Sequence, residues 1–312
     1  MLPNFLIVGA AKSGTSSLDR YLSQHPDIYI PPKKEAHYFS IPDFPPTFQG
    51  PGDEGMNQYT VRDRALYEQL FDDVQEQTAV GESSVFYLYY PGTAARIHKT
   101  IPAAKVIILL RNPVDRAYSA YTHLIRDERE SMSFEDSLAQ EQARHANDYE
   151  PMWLYRELGL YTEQVKRYFD VFGRDQVKVL LFEEFVREPC AHVREVLAFL
   201  GVDPDVPIDT SLTHNESGQP TSRLVYNFIS KPNGLKELVK PLVPAAIRER
   251  LGLRAKSMVL KKVSMESATR AELEAYFASD IAALAELLQR DLSIWRPRAN
   301  TSDGRPDMTG SN

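Results

Sequence analysis

The sequence predicts an α/β fold in which helices flank a central parallel sheet. Short apolar runs alternate with helical periods through roughly the first two hundred residues, and this alternation is typical of parallel sheets. The chain has 312 residues, of which 43% are apolar and 25% charged, so it can bury a sizeable core. We therefore expect a single domain over residues 1–295, followed by a polar, disordered tail over 296–312.

Short runs of branched apolar residues predict the strands, because such side chains pack well on a pleated surface. The predicted strands cover residues 5–8, 79–81, 106–110 and 177–181. The segments between them predict helices over residues 15–23, 62–71, 93–99, 113–125, 156–172 and 189–200. Near the end, apolar residues at steps of four and three predict a helix with one face in the core, formed by Leu273, Phe277, Ile281, Leu284 and Leu288.

Two segments depart from this alternation. Residues 41–55 are dense in Pro and Gly, which predicts an excursion from the sheet that forms a mobile lip over a site. Residues 231–262 hold nine Lys or Arg against two acidic residues. A solvated helix face is the favoured interpretation of this basic segment, and attraction of an anionic cofactor or acceptor is the alternative.

Composition and charge exclude several classes of protein. With 36 basic and 43 acidic residues, the net charge of -7 argues against a nucleic-acid partner. The single cysteine, Cys190, cannot form an internal disulfide or supply a cysteine zinc site. The early apolar run, residues 5–11, is too short to span a membrane and has its lysine on the wrong side for a signal peptide. We therefore expect a cytoplasmic protein without a transmembrane segment, and the oligomeric state stays open.

The first predicted strand runs directly into GAAKSGTSSL, residues 9–18. Its small residues bring backbone N–H groups together at the start of a helix, which predicts a phosphate-binding turn. A tight strand-to-helix connection without a ligand is the alternative. The candidate phosphate ligands are Lys12, Ser13, Gly14, Thr15, Ser16 and Ser17.

This P-loop-like turn differs from a Walker A loop. Gly14 is followed by Thr15, and the lysine lies three positions earlier, at Lys12. The best second strand ends in Arg111, where a P-loop NTPase would need an Asp to hold Mg²⁺. We therefore predict a phosphate donor bound without a metal.

A second motif, RNPVDRAYSAYTHLIR over residues 111–126, combines a strand end with a helix start at Pro113. Ser119 lies eight residues after Arg111 and two helical turns in, so both side chains could reach one anion. Taken separately, a surface salt bridge and a helix-face hydroxyl would be the simpler interpretations.

Together, GAAKSGTSSL and RNPVDRAYS resemble the two nucleotide-binding segments of sulfotransferases that use 3′-phosphoadenosine 5′-phosphosulfate (PAPS). The resemblance covers residues 4 to about 295 and is nearest to the carbohydrate-type and bacterial soluble branches. It implies a single α/β domain and sulfuryl transfer. It also implies that residues 12–17 hold the 5′-phosphosulfate of PAPS and that Arg111 and Ser119 hold the 3′-phosphate.

The segment PPKKEAHYFS, residues 31–40, carries the candidate base. In an extended stretch Glu35 and His37 would share a face. Sulfuryl transfer to an alcohol needs a base that takes the hydroxyl proton and a positive charge beside the leaving oxygen. We assign the base to Glu35 and the positive charge to Lys12. The E-x-H-[FY]-F segment of carbohydrate-type members implies the same base. His37 could orient Glu35 or, as histidine does in cytosolic sulfotransferases, act as the base itself, and a structural histidine is the simpler alternative. An ion pair of Glu35 with Lys33 or Lys34 is the simpler alternative.

Several further features bear on the acceptor. Heparan-type members carry a lysine where this chain has Ser83, which argues against a heparan-like acceptor. Heparan-type members also carry a cysteine pair before their last cofactor-closing loop, and this pair is missing here. The loop that corresponds to that cofactor-closing loop would be basic and lie around residues 256–262. The aromatic segment 86–90 is expected to be core with one face on the acceptor pocket, and His123 is expected to be structural.

The acceptor hydroxyl could belong to a carbohydrate, a lipid or a natural product, because specificity resides in loops that the fold does not determine. A nucleotide kinase or NTPase of P-loop type and a non-catalytic nucleotide-binding regulator are the alternative functions.

Overall fold

The computed structural model describes residues 1–211 and 265–295, with the backbone of 219–220 and 260–261. Five parallel strands form one sheet in the order β2-β3-β1-β4-β5, which confirms the predicted fold class. These strands are β1 (Phe5–Gly9), β2 (Ile28–Tyr29), β3 (Ala79–Ser83), β4 (Lys105–Leu110) and β5 (Val177–Leu181). A separate antiparallel pair joins β6 (Gln219–Pro220) to β7 (Leu260–Lys261).

Helices connect and cover the strands. In chain order, those in the described ranges are α1 (Thr15–Leu22), α2 (Glu54–Tyr59), α3 (Arg64–Gln69), α4 (Thr93–Thr100), α5 (Pro113–Arg126), α6 (Phe134–Ala139), α7 (Glu141–Ala146), α8 (Tyr161–Phe172), α9 (Phe182–Arg187), α10 (Pro189–Leu200) and α11 (Ser267–Leu288). None of them is long and apolar enough to cross a membrane.

The sheet is buried on both faces, and its side chains alternate between two cores. Leu6 and Val8 of β1 pack with α4 and α8, whereas Phe5 and Ile7 pack with α1 and α10. In α11, Leu273, Phe277 and Leu284 are fully buried and the other two residues of the predicted face are partly buried, so the core face is confirmed. Because the strands are parallel, the carboxyl ends of β1, β3 and β4 lie at one edge of the sheet, where ligands bind in such folds.

The predicted helix over residues 156–172 is wrong at its start. Residues Glu157–Gly159 form a 3₁₀ turn, and α8 begins only at Tyr161. Gly159 lies so close to Phe277 that a Cβ there would come within 2.8 Å of the ring, so this turn packs tightly against α11. The packing of two distant segments therefore interrupts a helical pattern that is continuous in the sequence.

Residues 41–55 leave the sheet, as expected, and one buried carboxylate ties them to the domain. Asp53 accepts hydrogen bonds from the backbone N–H groups of Gly50 at 2.8 Å and Glu150 at 2.9 Å. It also accepts one from Trp153 Nε1 at 3.0 Å and forms an ion pair with Arg129. One end of this segment is therefore anchored to the domain by three donors from outside it.

The predicted tail 296–312 lies outside the described residues. So do the basic segment 231–262 and its loop 256–262, apart from the backbone of 260–261.

Candidate functional site

The turn after β1 has the features of an anion-binding cradle. Gly14 caps α1 with a φ of 89°, and a Cβ there would lie 2.9 Å from the Phe182 ring, so only glycine fits this close approach. The Ser13 hydroxyl is fully buried and has no hydrogen-bond partner in the described structure. Thr15 and Ser17 are buried at the start of α1. A buried hydroxyl without a described partner beside a helix N-terminus is a suitable donor to a phosphate oxygen.

Lys12 lies inside this cradle among other cations. Burial, followed by the positive charge of Arg126, lowers the pKa of Lys12 to about 7, and Arg111 and Lys34 act in the same direction against Asp127. A lysine that loses its charge so readily is short of negative partners. The cradle therefore favours an anion, which would restore the charge.

Arg111 joins the second motif to the first. Its Nη1 donates to the carbonyl oxygen of Lys12 at 3.1 Å, and its guanidinium lies 4.7 Å from the centroid of the Phe182 ring. Burial lowers the pKa of Arg111. Ser119 is buried two turns into α5. The structure thus brings Arg111 to the Lys12 loop.

The chain immediately after Arg111 is fixed by its C-terminal region. Asn112 caps α5, and its backbone N–H donates to Glu183 Oε1 at 2.9 Å. The side-chain amide of Asn112 donates to the carbonyl oxygen of Trp295 at 2.8 Å. Trp295 closes the triangle, because its Nε1 donates to Glu183 Oε2 at 2.8 Å. Three segments distant in sequence therefore hold one another beside the cradle.

Lys34 connects the cradle to the candidate base. Its Nζ donates to Ser16 Oγ at 3.0 Å and lies 3.7 Å from Glu35 Oε1. The simple ion pair considered from the sequence is therefore present. Lys34 also connects the segment of the candidate base to the phosphate-binding turn, and the sequence did not indicate this connection.

Glu35 is held ionised and partly accessible. Its Oε2 accepts from the backbone N–H of Val85 at 2.9 Å and lies 3.2 Å from His37 Nε2. Burial would raise the pKa of Glu35, but the hydrogen bond with His37, the charge of Lys34 and the Val85 N–H together hold the pKa below its usual value. The side chain is 32% exposed, so a substrate can reach it.

The expectation of an extended stretch around Glu35 is wrong. Both Glu35 and His37 have left-handed backbone, with φ values of 62° and 51°. The end of β3 holds this turn, because the Glu35 N–H donates to the Ser83 carbonyl oxygen at 3.0 Å. The side chains of Glu35 and His37 therefore meet because the backbone turns between them. They do not meet because alternate residues of a strand share a face.

His37 lies behind Glu35. Only 1% of it is exposed, and its ring stacks on Phe86 with centroids 5.3 Å apart. Its Nδ1 is buried without a hydrogen-bond partner in the described chain. This location suits a residue that orients Glu35.

The surroundings of the site include His123 on α5 and the aromatic segment 86–90. Burial, then the charges of Lys12 and Arg126, lower the pKa of His123 to about 2, so this histidine stays neutral. In the aromatic segment 86–90, Phe86 and Tyr90 are buried, and Phe44 lies against Tyr90 with ring centroids 4.9 Å apart. Across the described ranges, no three His, Cys, Asp or Glu side chains are placed to hold a metal ion.

Sequence reasoning missed the polar residues at the end of β3. Glu82 and Ser84 are buried, and Ser84 Oγ accepts from the His37 backbone N–H at 2.9 Å. The signal was available, because the polar run Glu82-Ser83-Ser84 directly follows a buried strand beside β1.

The chain is similar to several known sulfotransferases. A model of the Sulfotransferase family matches residues 3–205. The crystal structure of a sulfotransferase from Alicyclobacillus acidocaldarius is 54% identical and covers 95% of this chain and 100% of its own, with a TM-score of 0.78. The chain is 38% identical over 123 residues to the membrane-associated sulfotransferase kil1 of Dictyostelium discoideum, which covers 38% of this chain and 22% of that protein.

The heparan sulfate glucosamine 3-O-sulfotransferase 3A1 of Mus musculus is 27% identical over 201 residues, covering 64% of this chain and 46% of that protein. The chain therefore spans about a fifth to a half of the length of these two curated relatives. The family model covers more than half of the chain and confirms the family that the sequence resembles. The chain belongs to the sulfotransferase family of enzymes.

Proposed function

We propose that the protein transfers a sulfuryl group from PAPS to a hydroxyl of a carbohydrate, lipid or natural-product acceptor. The observation that carries this proposal is the contact chain from the phosphate cradle to an ionised carboxylate. Lys34 bridges Ser16 and Glu35, so donor site and base are neighbours. The alternatives, a P-loop kinase and a regulator without chemistry, do not explain a base at this position.

The donor would be held by its two charged ends. The buried Ser13 hydroxyl, the N–H groups at the start of α1 and Lys12 suit the 5′-phosphosulfate. Arg111 supplies charge for the 3′-phosphate, with Ser119 as the second proposed ligand. No divalent metal is part of this proposal, because Lys12 provides positive charge at the phosphosulfate.

In the transfer step, Glu35 accepts the proton of the acceptor hydroxyl as its oxygen attacks the sulfur. The new O–S bond forms while the bond from sulfur to the 5′-phosphate oxygen breaks, and the electron pair stays on that oxygen. Lys12 stabilises the negative charge that develops there, where a fixed cation contributes most. The products are the sulfated acceptor, adenosine 3′,5′-bisphosphate and a protonated Glu35, which then loses its proton to solvent.

The base assignment is tested with Glu35→Gln, which keeps the shape of the side chain and removes its basicity. General bases contribute about 10²- to 10⁴-fold, so kcat should fall by that factor while donor affinity is almost unchanged. Glu76→Gln, on an exposed turn, is the matched control and should keep full turnover. His37→Ala should cost less than Glu35→Gln. If Glu35→Gln keeps most of its turnover at saturating donor and His37→Ala is inactive, the base is His37.

The acceptor is tested separately. The protein is incubated with PAPS carrying labelled sulfate and an extract of the source organism, and the labelled product is identified. Label on a hydroxyl of a small molecule, glycan or lipid supports the proposal. Transfer of label to a nitrogen atom or to no component at all would contradict it.

A further inference from the structure

The buried carboxyl of Glu82 belongs to a network that ends at the candidate base. Ser84 Oγ donates a hydrogen bond to Glu82 Oε1, and Tyr67 donates to Glu82 Oε2 at 3.3 Å. All three side chains are almost completely buried. With its proton committed to Glu82, the Ser84 oxygen keeps a lone pair free to accept, and the His37 backbone N–H donates to it at 2.9 Å.

This hydrogen bond holds a part of the backbone whose conformation is unfavourable. Glu35 and His37 both have positive φ, a conformation that L-residues adopt only when their surroundings impose it. The end of β3 supplies three contacts to this turn, from the Ser83 carbonyl oxygen, the Ser84 hydroxyl and the Val85 N–H. Of the three groups that this end supplies, only the Ser84 hydroxyl belongs to a side chain, and its orientation depends on Glu82.

We propose that Glu82 and Ser84 are positioning residues for the base: Glu82 orients the Ser84 hydroxyl, Ser84 holds the His37 backbone in its left-handed turn, and His37 then keeps Nε2 on Glu35. This inference rests on the proposed role of Glu35. Neither Glu82 nor Ser84 needs to touch a substrate. Their effect is to fix the direction of the carboxylate that receives the proton.

A consequence for pH dependence follows from the groups that face Glu35. Among the described residues, those with charge or a titratable proton are Lys34 and His37 on its own segment, Asp19 on α1, Glu82 on β3 and Glu150 after α7. The hydrogen bond with His37 is the largest of the influences that lower the pKa of Glu35. When that bond loosens, the pKa of Glu35 rises. Because the base must be ionised, the acidic limb of the kcat profile then moves to higher pH.

The test compares Ser84→Ala with Ser137→Ala. Ser137 is also a fully buried serine that donates to a buried glutamate, at 2.9 Å to Glu130 Oε2, but it lies on α6 outside the site. Ser84→Ala should lower kcat by about 10- to 100-fold without changing the KM for PAPS, since a small displacement of a reacting group has an effect of this size. It should also move the acidic limb upwards. Ser137→Ala should keep the wild-type limb.

A second readout does not use activity. Selective ¹⁵N labelling of the seven histidines allows amide exchange of His37 to be followed by NMR, with the signal assigned from its loss in His37→Asn. Exchange should accelerate in Ser84→Ala and stay unchanged in Ser137→Ala. Should Ser84→Ala fail to fold, Glu82→Gln decides, because Ser84 and Tyr67 donate to different carboxylate oxygens and a Gln side chain has an oxygen at only one of those two positions.

The inference is overturned if the variant shows wild-type exchange at His37, or if its kcat and acidic limb equal those of Ser137→Ala while Glu35→Gln is inactive. The proposed function fails in a different way. If Glu35→Gln keeps its turnover but His37 exchange still accelerates in Ser84→Ala, the contact is real and the base is another residue.

Discussion

Removing the charge of Lys12 gives the sharpest prediction about the donor site. Lys12→Met keeps the length of the side chain and introduces no new backbone cost, because any residue other than glycine meets the same φ of 68° there. Its kcat is expected to fall by roughly 10² or more, the usual loss when one fixed group that stabilises transition-state charge is removed. Without ligand, the variant should be at least as stable as the wild type, because burial of this ammonium group is unfavourable.

The lowered pKa of Lys12 also predicts a proton linkage. With a pKa of about 7, roughly nine-tenths of the free protein carries a neutral Lys12 at pH 8. An anion in the cradle restores the charge, so binding of adenosine 3′,5′-bisphosphate at pH 8 should take up close to one proton. Binding is then strongest below pH 7 and should weaken by up to about tenfold per pH unit above it.

Calorimetry measures this uptake directly. The binding enthalpy is determined at pH 8 in two buffers of different ionisation enthalpy, and their difference gives the number of protons bound. Lys12→Met should reduce the uptake to near zero. If the uptake is unchanged in Lys12→Met, the proton goes to another group and the reasoning fails. Near-normal turnover in the variant would remove Lys12 from the reaction.

Three further predictions concern the donor, the metal and the fold. Arg111→Ala should weaken adenosine 3′,5′-bisphosphate far more than AMP in calorimetry, since each charge-assisted contact is worth about 1.5–3 kcal/mol; equal losses would contradict its role at the 3′-phosphate. Protein treated with EDTA should stay active, and loss of activity that Mg²⁺ restores would favour a P-loop kinase. Asp53→Asn should lower the free energy of unfolding by roughly 1–3 kcal/mol in denaturant titration, because Arg129 keeps its ion pair with Glu150 and the variant loses only the contacts that an amide cannot accept; an unchanged midpoint would refute this.

The parts of the fold that local pattern determines could be predicted. β1 and β4 are buried on both faces, so they appear in the sequence as continuous apolar runs. β2 was missed because only Ile28 and Tyr29 pair with β3, which is too short for a pattern. The break before α8 was missed because Phe277, more than a hundred residues later, determines it.

The same distinction holds for the candidate site. The loop around Lys12 and the strand end at Arg111 are local motifs, so each could be found in the sequence. The contacts of Lys34 with Ser16 and of Ser84 with His37 could not, because they depend on how β1 and β3 align, with Ile7 opposite Ser83. Only the folded sheet brings those residues within hydrogen-bond distance.

The triangle of Asn112, Glu183 and Trp295 has a consequence for biosynthesis. The phosphate cradle is made first on the ribosome, but the residues that fix its far side come at positions 183 and 295. A nascent chain that ends at residue 205, the limit of the family match, would contain every proposed ligand and still lack Trp295. We therefore expect nucleotide binding to develop only once nearly the whole domain has emerged, so that an incomplete chain does not sequester the sulfate donor.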